Sequence, residues 1–184
     1  MPRYIAFLRA INVGGHTVKM DRLRQIFASL GFANVETFIA SGNVVFETAA
    51  LDTAALETRI ASALQAALGY EVATFLRTEA ELARIAAHSP FPQSQLAAAY
   101  ALNIAFLAAP LDAEAVRKLM ALKTAIDDFA THEREIYWLC LKKQSESTFS
   151  NAVLEKALGR QSTLRGANTV QKMAAKYGPA GAQS

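Results

Sequence analysis

Arg9, Asn12 and the pair Gly14-Gly15 follow directly on an apolar run, Tyr4-Ile5-Ala6-Phe7-Leu8, and precede an amphipathic segment that begins near Met20. A cation, a neutral hydrogen-bonding side chain and exposed backbone amides between a strand-like and a helix-like segment have the chemistry to hold a carboxylate or a phosphate. A second polar group, Ser41-Gly42-Asn43, interrupts two apolar runs, and a third, Arg165 with Asn168 and Thr169, lies near the C-terminus. His16, next to the glycines, is the candidate acid or base. Structural roles compete with these readings: the glycines could supply backbone angles closed to other residues, and Asn12 and Asn43 could bond their own turns.

Other chemistries find little support. Val13-Gly14-Gly15 lacks the spacing of a dinucleotide-binding or phosphate-loop motif. The three histidines, His16, His88 and His132, include no i, i+4 pair, so no metal site is expected, and no cofactor is implied. The single cysteine, Cys140, excludes an internal disulfide and reads as a buried hydrophobe. Asp127-Asp128 and Glu133-Arg134-Glu135 read as solvated or edge-strand charges. Ser147 or Thr148 reads as the cap of a following helix, and no hydroxyl has an evident base beside it.

The 184 residues are 52% hydrophobic and 19% charged, which argues for a compact fold. A formal charge of +3 with dispersed basic residues favours a small anionic partner over nucleic acid, since a nucleic-acid binder concentrates Lys and Arg on one face. Single-stranded nucleic-acid binding, for which Phe46 is the candidate stacking residue, is the alternative, and a protein-interaction module dimerising through a sheet edge is a third reading. No leader and no apolar run of membrane-spanning length is seen, so a cytoplasmic location without membrane contact is expected; oligomeric state is left open.

The elements that must position these residues follow from periodicity. Residues 3–9 read as a central strand, and Leu23, Ile26, Phe27 and Leu30 fall at helical spacing before Gly31. Two strands, Val35 to Ala40 and Asn43 to Thr48, are expected to join in a hairpin at Ser41-Gly42-Asn43. Leu56, Ile60, Leu64 and Leu68 mark a second helix ending at Gly69, Tyr70 to Arg77 a strand, and Thr78 with Glu81 a capping box for a third helix. The order β-α-β-β-α-β-α begins as a ferredoxin-like split unit.

The same order then recurs. Ile5-Ala6-Phe7-Leu8 returns as Ile104-Ala105-Phe106-Leu107, followed by a helix from Asp112, strands over 126–131 and 135–141, a helix over 148–158, an extended piece over 161–164 and a helix over 168–177. The expected fold class is therefore α+β, with two ferredoxin-like halves, each βαββαβ plus an extra helix, related by internal duplication. The expected domains are 1–92 and 100–178, with a linker over 93–99 inside the Pro- and Gln-rich stretch from Ser89, and a disordered tail over 179–184. In such a half the first and second strands run parallel. Arg9 to Gly15 and Ser41-Gly42-Asn43 should therefore share one edge with Gly69-Tyr70.

Phe7-Leu8-Arg9-Ala10-Ile11-Asn12-Val13-Gly14-Gly15, Phe38-Ile39-Ala40-Ser41-Gly42-Asn43-Val44-Val45-Phe46 and Arg165 with Asn168-Thr169-Val170 resemble the bacterial proteins gathered as domain of unknown function family 1697. The resemblance implies a two-part α+β fold with ferredoxin-like halves and a set of marked positions, but no established activity. Two departures stand out. Relatives tend to have Arg-Asn-Trp-Asn-Thr where this chain has Arg165-Gly166-Ala167-Asn168-Thr169, and a lysine usual near Ser147 is replaced by Thr148. The resemblance then implies that an aromatic surface and a cation are lost there.

Overall fold

The computed structural model of the chain describes residues 1–12 and 15–179, except for the side chains of residues 40 and 41. The chain divides into two compact units, Met1–Ala83 with Met173–Ser184, and Arg84–Lys172.

In the first unit, β1 (Arg3–Leu8) is the inner strand because its residues are apolar on both faces: Ile5, Ala6 and Phe7 are fully buried. With β2 (Ala33–Phe38), β3 (Ala40–Glu47) and β4 (Thr74–Thr78) it forms an antiparallel sheet in the order β2-β3-β1-β4. Helix α1 (Met20–Ser29) buries Leu23, Ile26 and Phe27, its i, i+3, i+4 stripe. Helix α2 (Thr53–Leu68) buries Leu56, Ile60 and Leu64. Asp52 caps α2 by accepting from the Ala55 N–H at 3.1 Å, and Gly69, at φ 83°, closes it in a left-handed conformation that other residues rarely adopt. Phe46 sits fully buried against Phe32 and Phe27, with ring centroids 4.3 and 5.6 Å away. It is therefore a core residue and presents no face for a base. The expected capping box is present: the Thr78 N–H donates to Glu81 Oε2 at 2.8 Å and the Glu81 N–H to Thr78 Oγ1 at 3.1 Å, starting α3 (Glu79–Ala87).

The second unit has its own antiparallel sheet, β6-β7-β5-β8, from β5 (Ala101–Phe106), β6 (Asp127–His132), β7 (Glu135–Cys140) and β8 (Thr163–Gly166). Ile104-Ala105-Phe106 occupies the inner strand here as Ile5-Ala6-Phe7 does in the first sheet. Helices α5 (Ala113–Met120) and α6 (Asn151–Leu158) supply Leu119 and Leu154 to a core with Phe129, Ile136, Trp138 and Phe149. A short helix, α4 (Gln93–Ala98), precedes β5, and α7 (Ala167–Tyr177) follows β8 directly. The last turn of α7 belongs to the first unit: Tyr177 donates to Glu36 Oε2 at 2.8 Å and packs edge-on against Phe38.

Several local expectations need correction. Ser41-Gly42-Asn43 is not the turn of the first hairpin but lies within β3. The reversal is made at Ile39, which adopts φ 62° between the paired residues Phe38 and Ala40. Thr37 pairs with Val44 and Phe38 with Ala40, so Ser41-Gly42-Asn43 forms an insertion in β3, a bulge that accepts turn-forming residue types. The stretch expected to be a linker carries α4. The cap of α6 is Ser150, which accepts from the Val153 N–H at 3.2 Å, rather than Ser147 or Thr148. Asp127 and Glu135 are not solvated: each is 2% exposed. Residues 180–184, most of the expected tail, lie outside the described residues.

Candidate functional site

The end of β1 is held on both sides. Phe7 pairs with Asn43 of β3, Leu8 with Thr74 of β4, and the Arg9 N–H donates to the Ala73 carbonyl at 2.9 Å. Arg9, half-buried, is thereby fixed at the sheet edge where β3 begins, and the chain leaves the sheet through Ala10 at φ 53°. Ala10 and Ile39 are both non-glycine residues in the left-handed region, each costing on the order of 1 kcal/mol. Both stand at this edge, at the close of β1 and in the reversal leading into β3.

The loop that follows is tied from within. Asn12 Oδ1 accepts from the Val18 N–H at 2.7 Å, which ties these two residues together. The Tyr70 hydroxyl donates to the Ile11 carbonyl at 2.9 Å, and the exposed His16 ring stacks on the Tyr70 ring with centroids 3.9 Å apart. Burial pushes the Tyr70 hydroxyl above its usual range, which keeps it a donor. Gly15 turns at φ 84°. Asn43, 2% exposed, donates from Nδ2 to the Phe38 carbonyl at 3.1 Å and so pins the bulge to the hairpin. The structure thus brings Arg9, Asn12, Gly15, Ser41, Gly42, Asn43, His16 and Tyr70 to one edge of the first unit; Gly14 lies outside the described residues. The side chains of Asn12 and Asn43 each bond backbone of their own turn.

This edge borders an open cleft of about 610 Å³ lined by Asn12, Val18, Lys19, Met20, Asp21, Arg24 and Ile39. The N-terminus of α1 faces it: Lys19 is the N-cap, and its side chain accepts nothing from the first turn. Two cations and one acid therefore line the cleft, and the acid, Asp21, is paired with Arg24. Arg24 also donates from Nη1 to Thr37 Oγ1 at 2.9 Å.

The remaining candidates belong to the second unit. Arg165 lies on β8 opposite Ile104, and its Nη1 donates to Thr163 Oγ1 and to the Leu164 carbonyl, both at 2.8 Å. Burial pushes its guanidinium down to about 10. Asn168 and Thr169 stand in the first turn of α7.

The sequence reading took one buried polar residue, Asp127, for a solvated charge and passed over another, Asn103. Asp127 accepts from Trp138 Nε1 at 2.9 Å, from Thr124 Oγ1 at 2.8 Å and from Ser147 Oγ at 2.8 Å. Asn103 is 7% exposed, and its Nδ2 has no hydrogen-bond partner. A lone asparagine in the apolar strand Ala101-Leu102-Asn103-Ile104-Ala105-Phe106 was a visible signal. Among the described residues there is no cluster of three or more His, Cys, Asp or Glu side chains that could hold a metal ion. No helix among them is long and apolar enough to cross a membrane.

The fold and this edge define an α+β protein with two four-stranded antiparallel sheets and seven α-helices among the described residues. The chain belongs to the family described as "Protein of unknown function (DUF1697)", whose family model matches residues 1–137. The match takes in the Arg9 and Ser41 motifs and stops short of Arg165. Among solved structures, the chain is similar to the conserved bacterial protein SP0830 from Streptococcus pneumoniae. The identity is 22% and the TM-score 0.76, over 95% of this chain and 97% of that one. At that identity the likeness bears on the fold alone. No curated protein matches the chain.

Proposed function

We propose that this is a cytoplasmic protein whose first unit binds a small phosphate- or carboxylate-bearing molecule at the edge formed by Arg9, Asn12, Gly14, Gly15, Ser41, Gly42 and Asn43. The observation that carries the reading is the N-terminus of α1, which lacks a side-chain cap and opens on a cleft bordered by Lys19 and Arg24. An anion there gains from unpaired amides, the helix dipole and nearby cations together. Arg9 supplies a further cation from the β1 end of the edge, and His16, exposed against Tyr70, is the candidate acid or base toward a bound molecule. Arg165, Asn168 and Thr169 are the second unit's own candidates for an anion.

The finer fold reading belongs to the same proposal. Two ferredoxin-like halves, 1–92 and 100–178, related by duplication, are supported by the parallel strand orders β2-β3-β1-β4 and β6-β7-β5-β8 and by the repeated Ile-Ala-Phe-Leu on the inner strands.

The test is a thermal-shift screen of nucleotides, sugar phosphates and small carboxylates against wild type and Arg9→Ala. A ligand at a hundred times its dissociation constant stabilises the folded state by about 2.7 kcal/mol. The expected result is an anionic hit that raises the melting temperature of wild type and loses its effect in Arg9→Ala while the free variant melts near wild type. If Arg9→Ala lowers the free protein as much as it lowers the liganded one, Arg9 serves the fold instead.

A further inference from the structure

The cleft at the start of α1 is lined by two chemically different sets of side chains: the cations Lys19 and Arg24, and the apolar Val18, Met20 and Ile39. Arg24 is engaged by Asp21 and by Thr37 Oγ1, 2.9 Å from its Nη1, whereas the exposed Lys19 has no acid partner among the described residues. Resting on the reading that this edge holds an anion, we propose that its ligand is amphipathic: a phosphate or carboxylate joined directly to a hydrocarbon body, with the anion at Lys19 and the body on Met20 and Ile39.

The apolar side chains carry the argument, because they are displayed rather than packed. Ile39 is 60% exposed and Met20 43%. Ile39 forms the reversal between β2 and β3 at φ 62°, a conformation that costs a β-branched residue more than it would cost asparagine or glycine. Neither the local backbone nor contact with water favours isoleucine at this position, whereas an apolar surface laid over it does. Met20 is brought to the same place from α1: its Sδ accepts from Thr37 Oγ1 at 3.3 Å, on the strand that ends one residue before Ile39. Methionine adjusts its shape to irregular apolar partners, which suits it to line a site rather than a packed core.

The pairing of charge and hydrocarbon narrows the ligand class. The cleft, about 610 Å³, has the volume of a small-molecule site, about 300–1,000 Å³. Inorganic phosphate would reach Lys19 and leave Met20 and Ile39 in water. A sugar or glycerol phosphate would set hydroxyls against side chains that offer them no comparable hydrogen bonds, at a cost in desolvation. An anion with a hydrocarbon body meets both sets at once.

The test uses the full chain carrying ¹³C-methyl methionine, titrated with hexyl phosphate and with hexanoate, which distinguish the two headgroups. Glycerol phosphate and inorganic phosphate are the anions without an apolar body, and hexanol is the body without a charge. At least one of hexyl phosphate and hexanoate is expected to move the Met20 methyl signal and to bind roughly tenfold or more tighter than the three controls. Ile39→Asn, which suits the left-handed backbone, should melt no lower than wild type and bring that ligand down to the affinity of glycerol phosphate. Lys19→Gln should weaken every anion alike. If glycerol phosphate binds as tightly as hexyl phosphate and hexanoate do, or if Ile39→Asn leaves their affinity unchanged, the amphipathic class is overturned while the anion reading of the edge stands. If none of the anions binds, both fall. If hexanol binds as tightly as its charged counterparts, or if sedimentation shows a dimer that Ile39→Asn dissociates and hexyl phosphate and hexanoate do not disturb, the apolar surface serves another partner and the proposal is overturned.

Discussion

Replacing Asp127 tests whether a buried carboxylate is the polar anchor of the second unit. Its oxygens receive the Trp138 indole N–H, the Thr124 hydroxyl and the Ser147 hydroxyl, and Ser147 in turn accepts from the Phe149 N–H at 2.9 Å. Trp138 and Phe149 pack edge to face at 4.6 Å, so one carboxylate ties β6, β7 and the approach to α6 to a single aromatic cluster. Hydrogen bonds to a charged group contribute about 1.5–3 kcal/mol each, and each buried donor left without an acceptor costs about 1–3 kcal/mol. Asp127→Ala removes these hydrogen bonds, leaves the Trp138 N–H buried without an acceptor and should therefore lose about 3–5 kcal/mol. Near 2–4 °C per kcal/mol for a chain of this size, the melting temperature should fall on the order of 10 °C. Asp127→Asn keeps an acceptor for Trp138 and should lose roughly half as much. The pH dependence supplies an independent check. Burial alone would raise the Asp127 carboxyl, but the donors from Trp138, Thr124 and Ser147 outweigh it and hold the group below its usual 3.8. A carboxylate depressed in the folded state stabilises above its unfolded value and loses that contribution as pH falls through the folded value. The gap between wild type and Asp127→Asn should therefore be constant above about pH 5 and shrink as pH falls through 3.8 and below. Chemical denaturation of the three proteins from pH 3 to 7 reads both effects. A loss under about 1 kcal/mol for Asp127→Ala would show that the hydroxyls and indole find other partners, and the anchor argument would fail.

The His88 and His132 rings stack at 3.9 Å, and His88 is lowered first by burial and then by repulsion from His132, with Glu133 pulling the other way. For a base lowered in the folded state, the unfolded chain takes up the proton first, so stability is full above the unfolded value of 6.5 and falls as pH drops below it. His132→Gln should raise the His88 titration midpoint seen by NMR; no change, or a fall, would assign the shift to burial alone. At the start of α3, Thr78→Ala should cost about 1 kcal/mol by removing the acceptor for the Glu81 N–H, whereas Thr78→Ser should be nearly neutral, as urea denaturation would report.

What could be read from the sequence was whatever local chemistry decides alone. The inner strands announced themselves through Tyr4 to Leu8 and Ile104 to Leu107, the end of α2 through Gly69, and the start of α3 through Thr78 and Glu81, because apolar runs, left-handed caps and capping boxes depend only on neighbours in the chain. The meeting of the Arg9 loop with β3 and with Tyr70 was legible one level higher, since strand direction in a βαββαβ order follows from the handedness of the crossovers. Register was not. Ser41-Gly42-Asn43 has the composition of a turn, yet Phe38 pairs with Ala40, and only the cross-strand alignment turns those three residues into a bulge. Asp127 failed for the same reason: its burial is created by Trp138 and Ser147, distant in sequence and brought near by the β6-β7 hairpin and the chain after it. Asn103 shows the converse. Its polarity in an apolar strand was visible, but that its amide is left without a partner beside Gly166 depends on β8 pairing with β5 and ending there. Both residues have chemistry that conflicts with the apolar strands around them, and the conflict exists only once the sheets are assembled.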